Sequence, residues 1–233
     1  MEEEKQQKII KWFIVGIIII AVLLLISFIL TKQNNKKNKI SDYVSEQATY
    51  KATNTGLTST LPALTLDSED AKNINAKIKE EYTATIQKKN TQFTYQASLN
   101  KKYISLAIMV NKVENKGYPY TTIKTYNFDK KTGALVDDET LLNEFQTSID
   151  KIAASFENKM KTMYEEEVEG TYLNESECNY DCFLQARNVT NYQDDIHLYV
   201  RNNQLVYYRP FIIFSSFNDD DYYRYQNFLF NIK

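Results

Sequence analysis

The chain has 233 residues, with 28 Lys+Arg, 30 Asp+Glu and one His, for a formal net charge of -2. Residues 1–40 hold seven Lys against three Glu (+4), and the remainder holds 21 Lys+Arg against 27 Asp+Glu (-6). An acidic remainder argues against a nucleic-acid partner, which calls for a basic face, and five Gly with three Pro exclude collagen-like and Pro-rich chains.

Residues 1–11 read as a short charged tail, too short to fold alone. Trp12 to Leu30 (WFIVGIIIIAVLLLISFIL) is a run of 19 residues without charge or Pro. As a helix it spans about 28 Å, close to the hydrocarbon thickness of a bilayer. It exceeds the ~7–15-residue apolar core of a cleaved signal peptide and no A-x-A-like site follows, so it reads as an uncleaved transmembrane helix. Lys8 and Lys11 lie before it and Lys32, Lys36, Lys37 and Lys39 after it, a balance that does not fix orientation.

Residues 31–60 are polar and lack periodicity, as in a stalk. Within them Ile40 to Tyr50 reads equally as a short helix or strand. Asp67-Ser68-Glu69-Asp70 is a helix start, with acids near the positive end of the dipole. Ala71, Ile74, Ile78, Tyr82 and Ile86 then recur at three- and four-residue steps, which predicts an amphipathic helix over about 67–89.

The period next falls to two. Phe93, Tyr95 and Ala97 alternate, Asn100-Lys101 turns, and Ile104, Leu106, Ile108 and Val110 alternate again. Thr121 to Phe128 is a third strand, and Asp129 to Gly133 closes a hairpin onto Ala134 to Val136, with Gly133 supplying a positive φ. Asp137-Asp138-Glu139 opens a helical stretch carrying Leu141, Leu142, Phe145, Ile149, Ile152, Phe156, Met160 and Met163, expected to end near Glu165-Glu166-Glu167. Thr147-Ser148-Ile149-Asp150 resembles a capping box, so two consecutive helices are an alternative to one. Residues 169–194 show no clear pattern. Ile196, Leu198 and Val200 alternate, Asn202-Asn203 turns, Leu205 to Phe214 returns, and Tyr222 to Ile232 is a further strand. Helices and hairpins are segregated, which predicts an α+β fold: an antiparallel sheet of hairpins with two amphipathic helices, preceded by one transmembrane helix.

The residues of catalysis are sparse. His197 sits in an alternating strand with no nucleophile or metal partner signalled by spacing, and reads as a solvent-facing strand residue. Cys178 and Cys182 form C-x-x-x-C. One His and two Cys cannot complete a zinc site without carboxylates, so a local disulfide is the better reading and two buried thiols the other. The runs Asp137-Asp138-Glu139, Glu165-Glu166-Glu167 and Asp219-Asp220-Asp221 read as helix caps and solvated faces. No cofactor or metal is indicated. The candidate binding residues are aromatic: Tyr118, Pro119 and Tyr120 at one loop tip, and Phe217, Tyr222 and Tyr223 beside Arg224 near the C-terminus. Tyr and Arg offer large, stiff contact area with a polar end.

Several segments together resemble the extracytoplasmic domain shared by RsiV-type anti-sigma factors and PdaC-type peptidoglycan deacetylases. They are Thr125-Tyr126-Asn127-Phe128-Asp129 followed by Thr132-Gly133, Leu135 and Leu141-Leu142; upstream, Leu61-Pro62 and Asn73-Ile74-Asn75; downstream, Leu205-Val206-Tyr207-Tyr208-Arg209-Pro210-Phe211. The likeness covers about residues 61–233. The family's Gly-x-His-Pro loop is here Gly117-Tyr118-Pro119-Tyr120, without the His. The resemblance implies a wall-facing sensing or binding domain, in some members a receptor for lysozyme. It implies neither an anti-sigma segment nor a deacetylase domain in this chain. The resulting expectation is a single-pass protein of the cell membrane with residues 61–233 outside, binding a basic wall-associated protein or a glycan without catalysis. The alternative is a bitopic scaffold in an envelope or secretion assembly, of VirB8-like architecture.

Overall fold

The computed structural model describes residues 39–53, 56–112, 120–213 and 222–230, and at 120, 213 and 222–230 the backbone alone. The chain divides into two compact units, Met1–Asp42 and Tyr43–Lys233. The described part of the first is a 3-10 turn, Ile40–Asp42, closed by the Lys39 N–H on the Asp42 carboxylate at 3.1 Å. The predicted membrane span at 12–30 lies outside the described residues. Among the described residues no helix is long and apolar enough to cross a membrane.

The second unit opens with a hairpin of β1 (Val44–Lys51) and β2 (Thr58–Leu64). The stalk expected over 31–60 is thus paired strand over 44–51 and from 58 on, in the stretch where Ile40 to Tyr50 reads equally as helix or strand. β1 has almost no apolar alternation to betray it, and its order comes from pairing with β2, which buries Leu61 and Leu64.

Helix α1 (Glu69–Ile86) follows, with Ser68 as N-cap accepting the Ala71 N–H at 3.2 Å. It buries Ala71, Ile74, Ile78 and Tyr82, as the three/four spacing requires. A four-stranded antiparallel sheet then forms in the order β3 (Thr91–Leu99), β4 (Tyr103–Lys112), β5 (Tyr120–Asp129) and β6 (Leu135–Val136). Three helices come next: α2 (Asp138–Glu144), α3 (Ile149–Glu169) and α4 (Tyr180–Ala186). A three-stranded antiparallel sheet ends the unit, in the order β7 (His197–Arg201), β8 (Gln204–Ile213) and β9 (Tyr222–Phe230). The class is α+β with antiparallel sheets, with four described helices where two were expected.

The helical stretch after Asp137 is indeed broken in two. Asp137 caps α2 by accepting the Thr140 N–H at 2.7 Å, and Ser148 caps α3 by accepting the Lys151 N–H at 3.3 Å. Helix α3 runs past the acidic run at 165–167 because Glu167 is engaged there. Its carboxylate takes Arg187 Nη2 at 2.5 and 2.6 Å, and Arg187 itself is 2% exposed. Helix α4 lies in the stretch without clear pattern. Asn179 starts it by accepting the Cys182 N–H at 3.0 Å, and Phe183 is its buried anchor.

Strand register sorts the core into layers. On one face of the four-stranded sheet lie Phe93, Ile104, Leu106, Ile108 and Phe128, all buried, with Tyr82 of α1 edge-on to Phe93 at 5.4 Å. The other face brings Ala107 and Ile123 against Tyr199, Val206 and Tyr208 of the three-stranded sheet. The far side of that sheet presents Leu198, Val200, Leu205, Tyr207 and Phe211 to Leu141, Ile152, Phe156, Met160 and Phe183. Each large apolar side chain buried this way contributes roughly 1.5–3 kcal/mol. β7 is therefore covered on both faces, and Leu198, Tyr199 and Val200 are each at most 2% exposed.

Candidate functional site

Two joints of hydrogen bonds fasten the described elements. Asn127 of β5 is 2% exposed. Its Nδ2 donates to the Leu198 carbonyl at 2.9 Å, and its Oδ1 accepts the Val200 N–H at 3.2 Å and the Ser105 hydroxyl at 2.7 Å. The carbonyl of one strand residue and the N–H two residues on point to the same edge, so the side-chain amide stands in for a neighbouring strand on the open edge of β7. Ser98, Ser105 and Asn127 form one row across β3, β4 and β5. Asn202 N–H reaches Ser98 Oγ at 3.3 Å, at the other end of that row. Two strand spacings of about 4.8 Å match three residues of extended chain at about 3.3 Å, so β7 runs along the row, across the strands beneath it.

The second joint holds α1 to the β5–β6 hairpin. Asp129 Oδ1 accepts the Lys131 and Thr132 N–H groups at 2.9 and 2.8 Å and the Thr132 hydroxyl at 3.0 Å. The Thr132 backbone donor is the chief reason its carboxyl is held below the usual aspartate range. Gly133 has φ +73, and a Cβ there would lie 2.9 Å from Ser68 Cβ, so only glycine admits the helix N-cap. Ser68 Oγ donates to the Gly133 carbonyl at 2.7 Å and Asp70 accepts the Leu135 N–H at 2.8 Å. Asn75 repeats the Asn127 device on β2, exchanging two bonds of 2.8 Å with the backbone of Leu64.

His197 is not a freely solvated strand residue. Its side chain is 24% exposed, and Nε2 lies 2.8 Å from Asp195 Oδ1. Asp195 also lies 4.0 Å from Arg209, whose buried guanidinium donates to the Pro210 and Asn191 carbonyls at 2.9 and 3.1 Å. Burial lowers the Arg209 pKa, and Asp195 and Asp194 oppose that shift. A His–Asp pair could relay a proton; the two cysteines, bonded to each other, are not free thiols for it to activate. Among the described residues no three His, Cys, Asp or Glu side chains converge on a metal position. The cluster fastens β7 and β8 to the 191–195 loop.

Cys178 and Cys182 form a disulfide with Cα atoms 5.2 Å apart, clamping the entry to α4. Of the aromatic candidates, Tyr118, Pro119 and Phe217 lie outside the described residues. Tyr120 starts β5, and Tyr222, Tyr223 and Arg224 start β9, opposite Ile213, Ile212 and Phe211. Asp137 is a cap, Glu166 is exposed near the end of α3, and Asp219, Asp220 and Asp221 lie outside the described residues. The predicted residues are thus not brought together in a described cleft. A cleft that sequence reading did not suggest opens beside the end of α1, where Tyr50, Ile86, Gln87, Lys88, Lys89 and Asn90 line about 150 Å³. Its residues come from the end of β1, the last residue of α1 and the turn into β3, and no spacing motif links them.

The chain matches no known family model, and a search of curated proteins finds no match to it.

Proposed function

We propose that the protein is a single-pass membrane protein whose α+β unit faces the outside of the cell and binds a basic wall-associated protein or a glycan, without catalysis. The observation that carries this reading is the Cys178–Cys182 disulfide, because such bonds persist in oxidising compartments. The 19-residue apolar run at 12–30 supplies the anchor. The acidic surface supplies the complement to a cationic partner: Glu165, Glu166, Glu169, Glu175, Glu177 and Asp181 are exposed around the end of α3 and the following loop. Exposed Tyr172 lies among them at 71%. Such a surface speeds encounter with a basic protein and loses its pull as salt rises. The likeness to RsiV-type and PdaC-type domains points the same way.

The test is protease treatment of intact cells bearing the full chain with a C-terminal epitope tag. Loss of the tag without permeabilisation supports the outward orientation, and loss only after permeabilisation overturns it. Capture with the full chain in micelles should then recover a cationic wall hydrolase at low salt and release it at high salt.

A further inference from the structure

The cleft beside the end of α1 has walls of distinct chemistry. Helix α1 ends at Ile86, and the chain reverses into β3 through a firmly tied turn. Lys88 N–H donates to the Thr85 carbonyl at 3.0 Å, and the Thr91 hydroxyl donates to the Thr85 and Lys88 carbonyls at 2.6 and 2.9 Å. Asn90 sits at φ 57, the left-handed value that Asn tolerates. Gln87, Lys88, Lys89 and Asn90 are therefore presented from a fixed backbone. Across from them stands Tyr50, 42% exposed, near the end of β1.

Each group has a use for one kind of ligand. The Tyr50 ring and Ile86 offer an apolar wall to the C–H face of a sugar ring. The Gln87 amide carries a donor and an acceptor, which suits a hydroxyl pair. Lys88 and Lys89 add two cations. Lys72, Lys102, Lys124 and Lys161 are engaged with carboxylates, whereas neither Lys88 nor Lys89 forms an ion pair among the described residues. A volume near 150 Å³ is about five water volumes and lies below the ~300–1,000 Å³ of larger ligand sites, so one ring fits and a chain does not.

We propose that this cleft binds a single anionic sugar unit, a pyranose carrying a carboxylate or a phosphate. The inference rests on the wall-facing reading only for the source of that sugar.

The test is amide-shift titration by NMR of the full-length chain in micelles of a sugar-free amine-oxide detergent. The probes are N-acetylmuramic acid and glucose 6-phosphate, with N-acetylglucosamine and inorganic phosphate as comparators. Saturable shifts at 50–53 and 87–91 with either anionic sugar, at a Kd of about 1 mM, are expected. Carboxylate and phosphate sources are told apart by which probe binds more tightly. The exposed pair Lys88→Gln and Lys89→Gln together should weaken binding about tenfold, and Tyr50→Ala should weaken it severalfold. Equal affinity for N-acetylglucosamine, equal affinity for inorganic phosphate, or no shift with either anionic sugar would each overturn the proposal. Binding in micelles is independent of cellular orientation, so failure here leaves the protease result standing, and failure there leaves the cleft standing.

Discussion

Removing the Asn127 amide is the sharpest test of how the two larger sheets are joined. In Asn127→Ala the Leu198 carbonyl and the Val200 N–H lose their partner inside a strand covered on both faces. Each buried backbone group left unpaired costs about 1–3 kcal/mol. With the space left by the amide, the loss should be roughly 3–5 kcal/mol, a large part of the ~5–15 kcal/mol typical of a folded domain. Ser105→Ala is the comparator. It removes one of the three bonds to Asn127 but leaves both strand groups satisfied, so it should cost about 1 kcal/mol. Urea unfolding of the full chain in micelles, followed by the near-ultraviolet circular dichroism of the buried tyrosines, gives both values. Hydrogen exchange adds a local reading: the Val200 amide should lose protection in Asn127→Ala and keep it in Ser105→Ala. Equal costs for the two variants, or unchanged protection at Val200, would refute the view that this amide serves as a surrogate strand.

Glu167→Ala deprives the 2%-exposed Arg187 of its carboxylate and should cost about 3 kcal/mol, while the exposed neighbour Glu166→Ala should stay within about 0.5 kcal/mol in the same urea assay. Replacing Cys178 and Cys182 together by Ser should cost about 2 kcal/mol, the chain-entropy value for so short a loop, and the variant should lose the wild-type protein's sensitivity to reductant. Asp129 should titrate below the usual aspartate value of about 3.9 by carboxyl NMR. Because folding depresses that pKa, the unfolded chain holds more protons in the acid window. The contribution is thus full above about pH 4 and is lost as pH falls through the folded value. In Asp129→Asn that part of the acid dependence should vanish.

Where one short-range rule decided the structure, the sequence was readable. Helix α1 shows its buried stripe at three- and four-residue steps, and the hairpins around Asn100, Gly133 and Asn202 show their turn residues. The split between α2 and α3 shows in the two cap residues Asp137 and Ser148. Helix α4 was not readable because it has seven residues and one fully buried anchor, Phe183, too few to set a period. Its only local signal is Asn179 ahead of two apolar residues. β1 was ambiguous because its stability lies in its partner. Tyr118, Tyr120, Tyr222 and Tyr223 read as binding candidates, while of the chain's 18 tyrosines Tyr43, Tyr82, Tyr103, Tyr199, Tyr207 and Tyr208 are core residues. Composition cannot tell these uses apart, since a phenol fits a core wherever its hydroxyl finds a partner, as Tyr208 does with Gln96 at 2.9 Å. The cleft at Tyr50 was invisible because it is assembled from segments distant in the chain, whereas the Asp195 partner of His197 lies two residues away in a stretch with no regular pattern to place it.

The seam between the sheets also has a history during synthesis. Asn127 bonds to backbone groups 71 and 73 positions further along. At roughly 5–20 residues per second, the first sheet waits about 4–14 s for its cover. Through that interval the surface holding Ala107 and Ile123 stands bare, with a row of hydroxyl and amide groups beside it. A nascent chain in this state offers an open template to any passing strand, and arrival of β7 and β8 is the event that retires it.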